Sequence, residues 1–125
     1  MTGPQPRTIL VVEDDPGVLL LIERLLRGTP YRVLSAASAS DALGALEARG
    51  DEVDLLLTDV MLGDLHGGEL ARRALAVRPG LLVVYVSGLT REAALGPGMP
   101  PGDGFLAKPY RAEDLRRVLD RVLGK

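Results

Sequence analysis

Three carboxylates and one amine stand at the ends of apolar runs in this chain. Asp59 closes Asp54-Leu55-Leu56-Leu57-Thr58-Asp59, and Glu13 and Asp14 end Ile9-Leu10-Val11-Val12. Lys108 follows Phe105-Leu106-Ala107 and stands before Pro109, while Ser87 ends another run, Leu81 to Val86. If these runs are neighbouring parallel strands, the acids and the amine converge on one sheet edge. Carboxylates held that close repel, so the group needs a divalent cation, a shared proton or the lysine. The lysine is itself an exception: 13 of the 15 basic residues are Arg, and the other Lys is the terminal Lys125. A compact, rotatable ammonium at a strand end therefore points to a dedicated role.

The elements that must position these residues alternate along the chain. Ile9 to Val12 is followed by a helix predicted over Pro16 to Arg27, with Asp15 as N-cap and Pro16 at the first helical position. Arg32 to Ala36 leads into Asp41 to Arg49, with Ser40 as the expected cap and Gly50 as the stop. Asp54 to Asp59 leads through Gly63, Gly67 and Gly68 into Glu69 to Val77, which Pro79-Gly80 stops. Leu81 to Val86 precedes a weak helical segment, Arg91 to Leu95. Phe105 to Ala107 precedes a helix over Ala112 to Leu123, where Leu115, Val118, Leu119, Val122 and Leu123 form one apolar face. Between them Gly96 to Gly104 holds four Gly and three Pro in nine residues, so it is a loop and the fourth helix is short or degraded. Continuous apolar strands alternating with helices predict an open α/β fold, a five-stranded parallel sheet covered on both faces. Such folds bind ligands at the carboxyl ends of the strands, beside a topological switch point. Glu13, Asp14, Asp59, Ser87 and Lys108 all fall there.

Composition narrows the classes. At 125 residues the chain is one domain, with 46% hydrophobic but only 3% aromatic residues, so Leu, Val and Ala must build the core. The net charge of -2 argues against electrostatic binding to nucleic acid or to an acidic membrane surface. There is no Cys, which excludes disulfides and thiolate metal sites. No run approaches the roughly 20 apolar residues of a spanning helix, and Met1 to Arg7 has no signal-peptide core. The expectation is a soluble cytoplasmic domain over 8–125 behind a flexible tail over 1–7.

The chain resembles the receiver domain of two-component response regulators over about residues 8 to 123. The resemblance rests on Val11-Val12-Glu13-Asp14-Asp15, Thr58-Asp59-Val60-Met61, Gly67, Val86-Ser87-Gly88 and Lys108-Pro109-Tyr110, in family order. It implies a flavodoxin-like, doubly wound (βα)5 fold. It also implies that Asp59 accepts a phosphoryl group from a phosphohistidine on a sensor histidine kinase or phosphotransfer domain. Asp14 would bind Mg²⁺ directly, Glu13 mainly through water, and the Met61 backbone carbonyl would supply a further ligand beside Asp59. Lys108 and Ser87 would meet oxygens of the phosphoryl group. Ser87 and Phe105 would carry the switch, the aromatic turning inward behind the hydroxyl. The start of the first helix would dock the kinase's helical bundle. That helix has more leucine than one buried face needs: with Val18, Leu21, Ile22 and Leu25 buried, Leu19 or Leu20 is left as an exposed apolar patch. The implied activity is confined to the protein's own aspartate rather than a separate substrate.

Singly, these residues have plainer readings. Asp15 caps a helix, Ser87-Gly88 makes a turn, Phe105 and Tyr110 pack, and His66 lies on the surface of a Gly-rich loop. The chain also departs from the family pattern. Gly63 stands where Pro is common, so a looser loop is expected, and His66 stands where an acid commonly precedes the loop glycine. Neither change is expected to touch the phosphate chemistry. In the family it resembles, the residues two after the phosphoacceptor and two after the Ser/Thr influence how fast water removes the phosphoryl group. Here they are Met61 and Leu89, both apolar and unable to orient that water. Slow self-dephosphorylation follows, and a Met61→Asn, Leu89→Glu double variant should lose its phosphoryl group faster. An equal lifetime in the two proteins would contradict this. The short fourth helix resembles receivers of hybrid sensor kinases, or stand-alone relatives, more than DNA-binding regulators. Oligomeric state is left open, a weak dimer included.

Two alternatives remain. One is a protein-binding module of the same fold that works without phosphorylation, against which the intact acid, Ser and Lys set argues. The other is an enzyme on a similar sheet. No Gly-rich phosphate loop follows the first strand, and Met61 replaces the second acid that an Asp-x-Asp phosphatase needs.

Overall fold

The computed structural model describes residues 6–124. Its strands are β1 (Thr8–Val12), β2 (Arg32–Ala36), β3 (Leu55–Asp59), β4 (Leu82–Ser87) and β5 (Gly104–Ala107). The helices are α1 (Pro16–Leu26), α2 (Ala39–Arg49), α3 (Gly67–Val77), α4 (Arg91–Ala94) and α5 (Ala112–Val122), with a 3-10 turn at Gly50–Glu52. All five strands run parallel in the order β2-β1-β3-β4-β5, the doubly wound, flavodoxin-like architecture. Of the expected tail, residues 1–5 lie outside the described residues, and the Arg7 carbonyl accepts a hydrogen bond from Arg32 N at 2.8 Å.

Strand alternation divides the core between the two faces. Leu10, Val12, Leu56, Val83 and Tyr85 pack with Ala42, Leu46, Leu70 and Ala74 of α2 and α3. Ile9, Val11, Leu55, Leu57, Val84 and Val86 pack with Ile22, Leu26, Leu115 and Leu119 of α1 and α5. Each half is almost wholly aliphatic, as a chain with so few aromatics requires. Among the described residues no helix is long and apolar enough to cross a membrane.

Three local expectations need correction. Ser38, not Ser40, caps α2, its hydroxyl accepting from Asp41 N at 3.0 Å. The Asp64 carboxylate takes the Ala39 and Ser40 amides at 3.1 and 3.0 Å, which draws the helix start forward and leaves Ser40 inside the first turn. On α1 the buried residues are Ile22 and Leu26. Leu19 is half-buried against the core, whereas Leu21 is 53% exposed beside Leu20 at 44%. The exposed apolar patch is thus Leu20 and Leu21. Finally, α3 begins at Gly67, two residues before the expected Glu69, because His66 caps it. Asp15 does cap α1, accepting from Gly17 N and Val18 N.

The fourth helix is a single turn, as the Gly and Pro content requires. The Gly96–Gly104 segment is tied down instead by side chains. Tyr85 Oη donates to the Pro100 carbonyl at 2.8 Å, Arg91 Nη1 to the Pro101 carbonyl at 2.5 Å, and Val83 N to Asp103 Oδ2 at 2.8 Å.

Candidate functional site

The order of strands reverses at β1 and β3, and the crevice at their carboxyl ends collects the acids. Asp59 is the last residue of β3, 7% exposed, and Glu13 follows β1, 4% exposed. Both carboxylate oxygens of Asp59 are engaged. Oδ1 accepts from Met61 N at 2.9 Å and Oδ2 from Lys108 Nζ at 2.6 Å. The same ammonium lies 3.9 Å from Glu13 Oε1. Lys108 is aimed from the end of β5, where its amide donates to the Ser87 carbonyl at 2.8 Å and its peptide with Pro109 is cis.

The electrostatics follow from this crowding. Burial pushes the Glu13 carboxyl up to about 7, with the nearby Asp59 and Asp14 adding to it and the Asp15 amide opposing. Burial disfavours the Lys108 cation, yet the hydrogen bond to Asp59 and the charges of Asp59 and Glu13 outweigh it and raise its pKa. The pocket holds more negative charge than one lysine neutralises.

The donor set fits a small, hard cation. Mg²⁺ takes oxygen ligands, keeps several waters, and needs only one or two carboxylates beside phosphate oxygens. Among the described residues no three such side chains already form a cage. Asp14 is exposed, and its Oδ2 accepts from Gly63 N at 3.0 Å. This revises the reading of Gly63. Where Pro would have no N–H, Gly63 supplies a donor that holds a site carboxylate, so the departure does reach the acid cluster.

Gly67 shows why the loop after β3 must be glycine at that point. A Cβ there would stand 2.4 Å from the Asp59 carbonyl oxygen and 2.8 Å from Val60 Cα, both backbone. Ser87 is buried at the end of β4, its Oγ accepting from Leu89 N at 3.0 Å. Met61 and Leu89 are exposed and apolar. Phe105 is half-buried against the α3 side of the core, with the Arg91 guanidinium 5.4 Å from its ring centroid. Tyr110 packs against the α1 side, as expected.

Sequence reasoning missed His66. Rather than lying free on the surface, its ring is half-buried and uses both nitrogens. Nδ1 accepts from Gly68 N at 2.9 Å, so the proton sits on Nε2, which donates to the Ala94 carbonyl at 3.0 Å. No local signal reveals this, because Ala94 lies 28 residues away.

A doubly wound sheet with acids, a serine and a lysine at its strand ends defines a class, and comparison with known proteins agrees. The response regulator receiver domain pattern matches residues 9–120. The sensor kinase CckA of Brucella abortus is 33% identical over 120 residues, covering 94% of this chain and 13% of that protein. The two-component response regulator ARR14 of Arabidopsis thaliana is 31% identical, covering 96% of this chain and 32% of its own length. Among solved structures, a signal receiver domain of an HD domain-containing protein from Pseudomonas fluorescens superposes with a TM-score of 0.86 at 25% identity, covering 95% of each chain. The BeF3-activated DrrB receiver domain gives 0.80 at 27% identity, covering 96% of this chain and 99% of that one. This chain belongs to the response regulator receiver domain family. It spans less than a third of the length of both the sensor kinase and the plant regulator.

Proposed function

We propose that this receiver, acting in the cytoplasm, takes a phosphoryl group from a phosphohistidine of a sensor kinase or phosphotransfer domain onto Asp59, with Mg²⁺, and so switches a protein-binding surface. The observation that carries the reading is the Asp59 carboxylate. It is buried at the switch point, with the Met61 amide on one oxygen and the Lys108 ammonium on the other. In the transfer, an Asp59 oxygen bonds to phosphorus as the P–N bond to the donor imidazole breaks, and the imidazole leaves with the electron pair. Such reactions are accelerated mainly by positioning and charge neutralisation. The Met61 amide orients the nucleophile. Lys108 stands ready to meet one phosphoryl oxygen and the Ser87 hydroxyl another. Asp14, Glu13, Asp59 and the Met61 carbonyl would hold Mg²⁺, which when bound supplies the positive charge the acid cluster lacks. The only turnover is of the protein's own aspartate. Acetyl phosphate is expected to label wild type and leave Asp59→Asn unlabelled. Absence of labelling would favour the phosphorylation-independent binding module.

A helical phosphodonor fits the surface beside the site. An apolar groove of about 480 Å³, lined by Val18, Leu21, Leu25, Pro109 and Tyr110, runs up to Lys108. Leu21 of that lining is exposed, and the neighbouring Leu20 is exposed as well. A Leu20→Arg, Leu21→Arg double variant is expected to slow phosphotransfer from the cognate donor at least tenfold, while labelling by acetyl phosphate is unchanged. Equal loss with both donors would assign the two leucines to folding instead of docking.

A further inference from the structure

The short fourth helix leaves a continuous side-chain connection between the phosphoacceptor loop and the switch aromatic. Its first link is the β3–α3 loop itself. Met61 and His66 pair across it as an isolated antiparallel bridge, and Gly67 N donates to the Val60 carbonyl at 2.7 Å. The second is the His66 ring, whose Nδ1 caps α3 and whose Nε2–H grips the Ala94 carbonyl at the far end of α4. The third is α4, one turn closed by Ala94 N to the Thr90 carbonyl at 2.8 Å and Leu95 N to the Arg91 carbonyl at 3.0 Å. The last is Arg91, at the other end of that turn, with its guanidinium over Phe105 and pinned to the Pro101 carbonyl.

We propose that His66 and Arg91 form a relay that transmits occupancy of the Asp59 pocket to Phe105 through α4. The inference rests on the Asp59 reading above and adds two positioning residues to it. A displacement of the loop that carries Met61 moves the His66 ring. The ring is bonded to one end of a single helical turn, whose two backbone hydrogen bonds tie that end to the other. Arg91 sits at that other end. Its guanidinium spans the Phe105 ring and the Pro101 carbonyl, so a shift of α4 changes how the cation sits over the ring. Tyr85 lies opposite Phe105 in register on β4, fully buried and tethered to Pro100. A double-mutant cycle measures the coupling between the two residues.

The single Phe makes the test direct. Protein labelled with 4-fluorophenylalanine carries one ¹⁹F reporter at Phe105, and bound beryllofluoride gives its own ¹⁹F signal in the same spectrum. His66→Asn retains an N-cap oxygen for α3 but not the reach to Ala94, and Arg91→Gln removes the cation. With Mg²⁺, each variant is expected to bind beryllofluoride within about threefold of wild type while the Phe105 resonance moves less than half as far. The double variant is expected to match either single one. A full Phe105 shift in His66→Asn, or additive losses in the double variant, would overturn the relay alone. A wild-type protein that binds no beryllofluoride would overturn the Asp59 reading and the relay with it.

Discussion

Replacing Lys108 with methionine is expected to slow labelling of Asp59 by acetyl phosphate by about 10²–10³-fold at saturating Mg²⁺, with the fold retained. The ammonium is 2.6 Å from Asp59 Oδ2, close to where the arriving phosphoryl oxygens must lie. Charge on those oxygens in the transition state is best met by a cation already in place, because no reorganisation is then needed. Methionine keeps the apolar stem and removes only the charge. Arginine at the same position is expected to rescue poorly, since its planar fork is larger than the ammonium that fits between Asp59 and Glu13. The check is the pseudo-first-order labelling rate of each variant from intact mass. A fall of less than about fivefold in Lys108→Met would remove Lys108 from the chemistry.

The second large effect is a stability that depends on pH and metal through Glu13. Its carboxyl is pushed up to about 7 in the fold, against an ordinary value of 4.5. The native state therefore holds the Glu13 proton more tightly than the unfolded chain does. Stability from this group is fully present below pH 4.5 and is lost as pH rises through about 7. The gap corresponds to on the order of 3 kcal/mol. Metal-free wild type measured against Glu13→Gln, which keeps the shape without the charge, is expected to lose about that much relative stability between pH 5 and 8. Mg²⁺ competes with the proton, so it should stabilise wild type more at pH 8 than at pH 5.5. Urea midpoints across that range are the measurement. A wild-type minus Glu13→Gln difference that stays flat with pH would contradict the account of the pocket.

The architecture was legible because the strands are plain. Unbroken apolar runs such as Leu55-Leu56-Leu57 must be buried on two faces, and several end in a polar or charged residue. Asp59, Glu13, Ser87 and Lys108 were therefore expected at the strand ends, and they stand there. What escaped the sequence depends on partners distant along the chain. Asp64 resets the start of α2 from 25 residues away, and His66 finds Ala94 across a loop. The α1 face failed for a different reason. With Leu19, Leu20, Leu21 and Ile22 consecutive, every direction around the helix is apolar, and periodicity cannot say which leucine faces water. Only the packing of Ile22 and Leu26 against the sheet settles it. The Gly63 contact with Asp14 was hidden because a departure from a family pattern shows what is lost and not which backbone amide is gained.

The central claim, that Asp59 is a metal-assisted phosphoacceptor, is tested most directly by intact-protein mass after incubation with acetyl phosphate and Mg²⁺. The expected result is one phosphate-sized adduct on wild type that is stable in acid, labile in base, absent with a chelator and absent in Asp59→Asn. An adduct of equal yield on Asp59→Asn, or none on wild type with any small phosphodonor, would contradict it.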